Sequence, residues 1–371
     1  MASLEECRAE ILTYDRMIKD NYNVLSGLLA SLKEDISSSV EATLAMMNPA
    51  PTVMDTVELD ANWWSEHGEE MGWIPDGNGF YVYTDPDTGE TFAYNPEKHQ
   101  LRQDGVGTVS CRLYLNGDPS DVTETVTLLK AYYGGNISVG DSSTRPQLII
   151  APDLTGDEGS TNSKGQKTPG SPAQTAKLAL MSSKFGDSFL KSAGNTNDVK
   201  RNICGFSMGG VQALKMVSGQ LGDQYVGYYD KVTLLNISPT VLHYNQKELD
   251  SMAGLEFDII QNYNNANGTA DFMADYYTTQ RGGPHLEKLA GIPGAKINFY
   301  VSDLTYDTHK ELTKSVAFVE GLDADNINII QYSVPDDQLE KYGSGTSNSS
   351  HESGRRILLP RYLSGDITPI E

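Results

Sequence analysis

The chain has 371 residues and 38% hydrophobic content, enough for one large domain with an appendage or for two domains around a sizeable core. Its net charge of −22, from 50 acidic against 28 basic residues, argues against nucleic acid and anionic membrane surfaces as partners, because both are polyanions that recruit Lys and Arg. The three cysteines Cys7, Cys111 and Cys204 have neither disulfide-framework nor zinc-ligand spacing. No apolar run approaches a membrane span, and acidic Glu5 and Glu6 do not suit a classical export signal. The expected location is the cytoplasm, or outside the cell by a route without a classical signal peptide.

From Ser3 to about Met47 the pattern is helical. Leu4, Ile11, Ile18, Leu25 and Leu32 recur every seven residues, and Tyr22, Leu29 and Ile36 form a companion row four positions later, the seam of a coiled coil. Ser3 with Glu6 offers a capping box, and Pro49 and Pro51 end the run. Asn21, Asn23 and Ser37 to Ser39 leave a helical hairpin as the alternative to one rod. Residues 1–50 are expected to self-associate or to dock a partner. This helix also resembles the N-terminal targeting modules of WXG/LXG-type secretion substrates, without their tripeptide in the required place.

Residues 51–104 read as a small aromatic unit. Gly79 to Thr84 and Glu90 to Tyr94 are strand-like, and Asp85-Pro86-Asp87-Thr88-Gly89 between them is turn chemistry, which predicts a hairpin. Trp63, Trp64 and Trp73 are its available apolar cover. A lone hairpin is marginal in water and must lean on a neighbour, so packing is the expectation; exposed aromatics binding a peptide or glycan is the alternative.

Residues 105–371 alternate strand and helix, which implies a mostly parallel sheet with helices on both faces. Strands are predicted at Thr108 to Leu115, Gln147 to Ala151, Lys231 to Asn236, Lys296 to Val301 and Asn326 to Val334. Helices are predicted at Asp121 to Tyr133, Pro172 to Leu190 and about Lys310 to Glu320, with a polar, lid-like insertion at about 241–293.

The stretch Arg201 to Leu214 reads as strand, sharp turn and helix, and Gly205 and Gly209 flank Ser207 in the spacing G-x-S-x-G. That spacing lets a serine sit on a strained turn, with the free N–H groups of the following helix aimed at any oxyanion formed there. The alternative is a glycine-rich turn without chemistry.

With Leu115-Asn116-Gly117 and Ile150-Ala151-Pro152-Asp153, the run Gly205 to Gly210 makes residues 105–363 resemble the α/β-hydrolase superfamily, and within it the serine esterase group. Asn116 stands where that group has histidine. The resemblance implies acyl transfer to a serine, with the order serine, acid, histidine along the chain. It assigns Ser207 as nucleophile and His351 as base, with His309 as the alternative base. Asp303 is the expected acid and Asp307 its alternative, the loser serving as a helix cap. The oxyanion hole would use the N–H of Met208 and one from Asn116 or Gly117. His67, His99, His243 and His285 come too early for the base.

The expected function is hydrolysis of small-molecule carboxylic esters without metal or cofactor, as no histidine pair has ligand spacing and no phosphate-binding glycine loop is present. A serine peptidase on the same fold and a non-catalytic scaffold are the other readings.

Overall fold

A computed structural model describes residues 4–47, 51–129, 138–154, 171–235, 244–261, 286–302, 325–332 and 354–366. The chain divides into two compact units, Met1–Thr52 and Val53–Glu371.

The first unit contains α1, a continuous helix over Leu4–Met47 that the asparagines do not interrupt. Its seam residues are in water: Ile18 is 67% exposed, Tyr22 70%, Leu25 59% and Leu29 67%. No described helix is long and apolar enough to cross a membrane.

The second unit is organised on one sheet. Its strands are β1 (Met54–Glu58), β2 (Ile74–Pro75), β3 (Tyr81–Thr84), β4 (Thr91–Asn95), β5 (Gln100–Gln103), β6 (Gly107–Asn116), β7 (Glu124–Leu129), β8 (Ser142–Ser143), β9 (Gln147–Asp153), β10 (Lys200–Phe206), β11 (Lys231–Leu235), β12 (Glu256–Gln261), β13 (Lys296–Ser302) and β14 (Ile327–Tyr332). Their order is β14-β13-β12-β11-β10-β7-β9-β6-β5-β4-β3-β2, with β1 and β8 off the β6 side. Strands β9, β7 and β10 to β14 are mutually parallel, while β6 runs antiparallel to β9. A parallel sheet entered through one antiparallel strand, with a crossed β7/β9 order, is the α/β-hydrolase arrangement expected from the resemblance.

Two faces are covered. Helices α3 (Pro172–Ser192) and α4 (Met208–Val217) lie over the cluster containing Phe185, Phe189, Val211 and Leu214. On the other cluster the C-terminal segment, a π-helical turn at Gly354–Leu358 followed by α7 (Leu359–Ser364), buries Ile357, Leu358 and Leu363 with Phe206, Leu235 and Ile260. The remaining helices among the described residues are short: α2 (Ala61–His67), α5 (Gln246–Asp250) and α6 (Leu286–Ala290).

The hairpin forms as predicted, with Tyr81 opposite Tyr94 and Tyr83 opposite Phe92. It is not a separate unit, because β4 pairs with β5 and β5 with β6, which carries it into the main sheet. Trp64, Trp73 and Tyr94 are fully buried against Phe185 and Phe189 of α3. The Trp73 indole N–H donates to Ser192 Oγ at 2.8 Å, and Lys191 of α3 donates to Asp85 Oδ1 in the hairpin turn at 2.8 Å. These aromatics are packing residues.

Two expectations are corrected. The helix predicted at Asp121 to Tyr133 is instead a short 3-10 turn, Pro119–Asp121, followed by β7. All six residues of β7 are buried, and the β-branched Thr125, Val126 and Thr127 suit a strand between β9 and β10 better than a helix surface. The lid-like insertion at 241–293 contains β12, a full member of the parallel sheet between β11 and β13. The helix predicted near Lys310 to Glu320 lies outside the described residues.

Candidate functional site

Strand β10 ends at Phe206 and α4 begins at Met208, leaving Ser207 alone at the junction with φ 55° and ψ −120°. Among the described non-glycine residues only Ser207 and His99 have positive φ, a conformation that costs on the order of 1–3 kcal/mol and persists where neighbours over-determine it. The neighbours here are visible. The Ser207 N–H donates to the Leu235 carbonyl of β11 at 3.0 Å, and the Ser207 carbonyl accepts from the Gly210 N–H at 3.1 Å.

The two flanking glycines are required by close approach of backbone. A Cβ on Gly205 would stand 2.4 Å from the Gly209 carbonyl and the Gly210 nitrogen, and one on Gly209 would stand 2.3 Å from the Leu129 carbonyl oxygen. Neither obstacle is a side chain that could swing away. Ser207 and Met208 are half-buried, and Met208 opens α4, where the positive end of the helix dipole faces the serine. Cys204 in the same strand is fully buried, and burial pushes its thiol well above the ordinary range, so it is not a competing nucleophile.

Asn116 and Gly117 do not reach this turn. Asn116 pairs with Gln147, Gln147 is level with Glu124, and Glu124 with Lys200, seven positions before Ser207. Both residues therefore lie at the N-terminal edge of the parallel strands, about 23 Å along the strand direction from the serine. Asn116 Nδ2 donates instead to Thr56 Oγ1 at 2.6 Å, and Gly117, at φ 84°, would press a Cβ onto Met54. The oxyanion role that the resemblance implied for them is corrected on this placement. The strand whose C-terminal end lies beside the serine turn is β7, where Leu129 is level with Gly205, and not β6.

Asp303, Asp307, His309 and His351 lie outside the described residues. Their flanks are described. β13 ends at Ser302, one position before Asp303, and the chain resumes at Gly354, three positions after His351. His243 and His285 also lie outside, and His67 is on α2 at the surface. His99 directly precedes β5; burial first, then Arg112, holds its imidazole below the ordinary histidine value, and β5 is four strands from β10 in the sheet order.

Within the sheet, sequence reading missed a buried polar set. The Tyr362 hydroxyl of α7 donates to Asp258 Oδ2 at 2.6 Å and lies 2.9 Å from Thr233 Oγ1, while Asn202 Nδ2 approaches it at 3.3 Å. Lys231 Nζ pairs with Asp258 Oδ2 at 2.7 Å and with Glu256 Oε1 at 3.1 Å. Asn202 Nδ2 also donates to Glu124 Oε1 at 3.0 Å, and Asn298 Nδ2 to Asp258 Oδ1 at 2.8 Å. Burial works to lower the Lys231 ammonium, but Tyr362, Asp258 and Glu124 outweigh it and raise the group above the usual lysine range. The sequence signal was Asp258 itself, a charge inside an otherwise apolar Phe257 to Ile260 run. Among the described residues no group of three metal-ligating side chains is found.

No protein-family model matches the chain, and no match is found among curated proteins. Solved structures do superpose. A peroxisomal α/β-hydrolase from Saccharomyces cerevisiae is 11% identical, covering 79% of this chain and 92% of its own, with a TM-score of 0.33. A thermostable carboxyl esterase from Bacillus coagulans is 11% identical, covering 70% and 98%, at 0.32. A carboxyl esterase from Tuber melanosporum is 12% identical, covering 80% and 90%, at 0.34. The strand order and the turn at Ser207 carry the fold; superpositions this loose add no weight to it.

Proposed function

We propose that this chain is a serine hydrolase of carboxylic esters in which Ser207 accepts the acyl group. The observation that carries the reading is the backbone at Ser207, a non-glycine residue at φ 55° between two glycines whose Cβ atoms would strike main chain. Such a backbone supports a nucleophile elbow, a turn that lifts a hydroxyl above the C-terminal edge of a parallel sheet. The Met208 N–H at the start of α4 stabilises the tetrahedral oxyanion, and the second donor belongs to the chain that leaves β7 at Leu129.

His351 takes the serine proton and passes it to the leaving alcohol, and an aspartate fixes its tautomer. His351 is favoured over His309 because the segment it leads into, from Gly354, packs on β11 and β12 and shares a buried cluster with Phe206 and Leu235, the residues bracketing the serine turn. Asp303 follows β13 directly and is the acid. Because β12 intervenes, β13 is three strands from β10, roughly 14 Å across at the usual strand spacing. That distance gives Asp307, with four more residues of tether, a specific claim as the alternative.

Labelling with a fluorophosphonate, followed by a panel of acyl esters and peptide amides, tests the reading. Ser207→Ala abolishes labelling and costs on the order of 10³–10⁶-fold in turnover. His351→Ala costs nearly as much, and wild-type activity rises with pH through a base near about 6.5. Undiminished labelling of Ser207→Ala overturns the assignment, an unlabelled wild type favours the scaffold reading, and turnover of amides alone favours the peptidase.

We infer further that α1 self-associates with a second copy of the chain. Ile18, Tyr22, Leu25, Leu29, Leu32 and Ile36 alternate at the four- and three-residue steps that a helical partner of the same rise would interdigitate. All six are more than half exposed. The full chain is expected to scatter light as an assembly of two copies and the chain without residues 1–52 as one, with labelling of Ser207 unchanged; a full chain that scatters as a single copy, or a truncated one that still scatters as two, refutes the assignment.

A further inference from the structure

The serine turn is supported from below by the end of the chain. Phe206, which precedes Ser207, and Leu235, whose carbonyl holds the Ser207 N–H, share one buried cluster with Ile357, Leu358, Leu359 and Tyr362. The turn Gly354–Leu358 contacts β11 and β12 directly. Further along the C-terminal segment Tyr362 is 3% exposed, and its hydroxyl meets Asp258, Thr233 and Asn202 in the middle of their strands. Those three partners sit on β12, β11 and β10, so one hydroxyl ties α7 to three adjacent strands. Ser143 Oγ and Thr144 N–H fasten the same end by donating to the Leu363 and Ser364 carbonyls at 2.9 and 3.0 Å.

Apolar contact sets the height of α7 less sharply than paired polar groups do, and the Ser143 and Thr144 bonds hold only its C-terminal end. A buried hydroxyl with three fixed partners has one position in which it is satisfied, and any shift leaves Asp258 or Thr233 short of a partner in a dry site. The register set at Tyr362 is passed back four and five positions along the helical segment to Leu358 and Ile357.

We propose that Tyr362 is a positioning residue for Ser207: its hydroxyl fixes the height of the C-terminal helix, and through Ile357 and Leu358 that helix fixes the floor of the serine turn. The proposal rests on Ser207 being the nucleophile. It assigns Tyr362 no contact with substrate and no proton transfer.

The test is the kinetics of fluorophosphonate labelling of the full chain, resolved into the inhibitor's KI and the maximal inactivation rate. Tyr362→Phe keeps the ring and removes the hydroxyl. It is expected to slow the inactivation rate about five- to tenfold, well below the unfolding temperature, with KI unchanged. Tyr229→Phe is the control, since it deletes another fully buried hydroxyl, bonded to Ser183 on the α3 face, and should lower stability without slowing labelling. Should Tyr362→Phe fail to fold, Thr233→Val is the milder lesion at the same hydroxyl and is expected to slow inactivation two- to threefold. Wild-type rates in a folded Tyr362→Phe, or in Thr233→Val where it stands in, overturn the proposal. So does equal slowing in Tyr229→Phe. A wild type that does not label overturns the nucleophile assignment itself and this inference with it.

Discussion

Near its N-terminal end β10 contributes Asn202 to a buried set of charges and hydroxyls, whereas five residues later it delivers Ser207 in a backbone conformation that most residues avoid. The first end is held by satisfaction, since Lys231, Asp258, Thr233, Asn202 and Tyr362 each have a partner inside the set. The second is held by crowding, since the carbonyls of Leu129 and Leu235 meet the turn and leave it one conformation. Buried charge and backbone strain are both unfavourable taken singly, and this sheet keeps them about 16 Å apart on one strand, where a lesion in either can be read separately.

The largest effect is expected where a charge is stranded. Asp258→Ala leaves the Lys231 ammonium buried with Glu256 as its remaining acidic contact, and should cost about 3–5 kcal/mol in urea denaturation. The paired replacement of Lys231 by Met and Asp258 by Leu should recover most of that, because apolar pairs substitute for buried ion pairs at little net cost. A double variant as unstable as the single one would mean that the strand, rather than the charge, is what Asp258 supports. At the strained end Gly209→Ala has only backbone to push against and should cost about 2–3 kcal/mol; a neutral result would remove the close approach to Leu129.

A smaller effect comes from acid. Burial raises the Glu256 carboxyl, but Lys200 and Lys231 outweigh it and hold the group below its ordinary value of 4.5. Its folded value being depressed, its stabilisation is present above pH 4.5 and is lost as pH falls through the folded value. Glu256→Gln should therefore flatten the acid limb of the melting temperature against pH while leaving the neutral limb parallel to wild type. Identical acid limbs would place the titrating group elsewhere. The smallest effect is expected for Asn116→Ala, which loses one hydrogen bond to Thr56, worth about 1 kcal/mol, and keeps labelling of Ser207 within about twofold. A hundredfold loss of labelling would return Asn116 to the oxyanion site.

Local signals made much of this legible in advance. The hairpin follows from its Asp-Pro-Asp-Thr-Gly turn between aromatic strands, and the strand, turn and helix around Ser207 follow from two glycines and a hydrophobic run. What failed depended on partners distant in sequence. β12 is hidden inside a stretch, 241–293, whose composition is polar, and the charge at Asp258 within its short apolar run is held by Lys231, 27 positions earlier, and Tyr362, 104 positions later. β7 was read as a helix because its burial on both faces is set by β9 and β10, which pair with it from later in the chain. The oxyanion donors came from a family motif matched to the end of β6, and the antiparallel direction of that strand puts its end at the edge away from the serine. The acid and the base were chosen by order along the chain, and the inserted β12 is why order alone separates Asp303 from Asp307 poorly.

Cys204 lies three positions before Ser207 and Cys111 on β6, both fully buried and reduced, with burial raising the Cys111 thiol to about 12. Thiolate is the reactive form, so neither reacts with a thiol probe while the sheet is closed. In a Cys7→Ser background the two become clocks, since the rate at which a disulfide reagent captures each reports how often its strand opens to solvent. Cys204 captured more slowly than Cys111 would mean that the strand leading into the serine turn breathes less than the antiparallel strand beside β9.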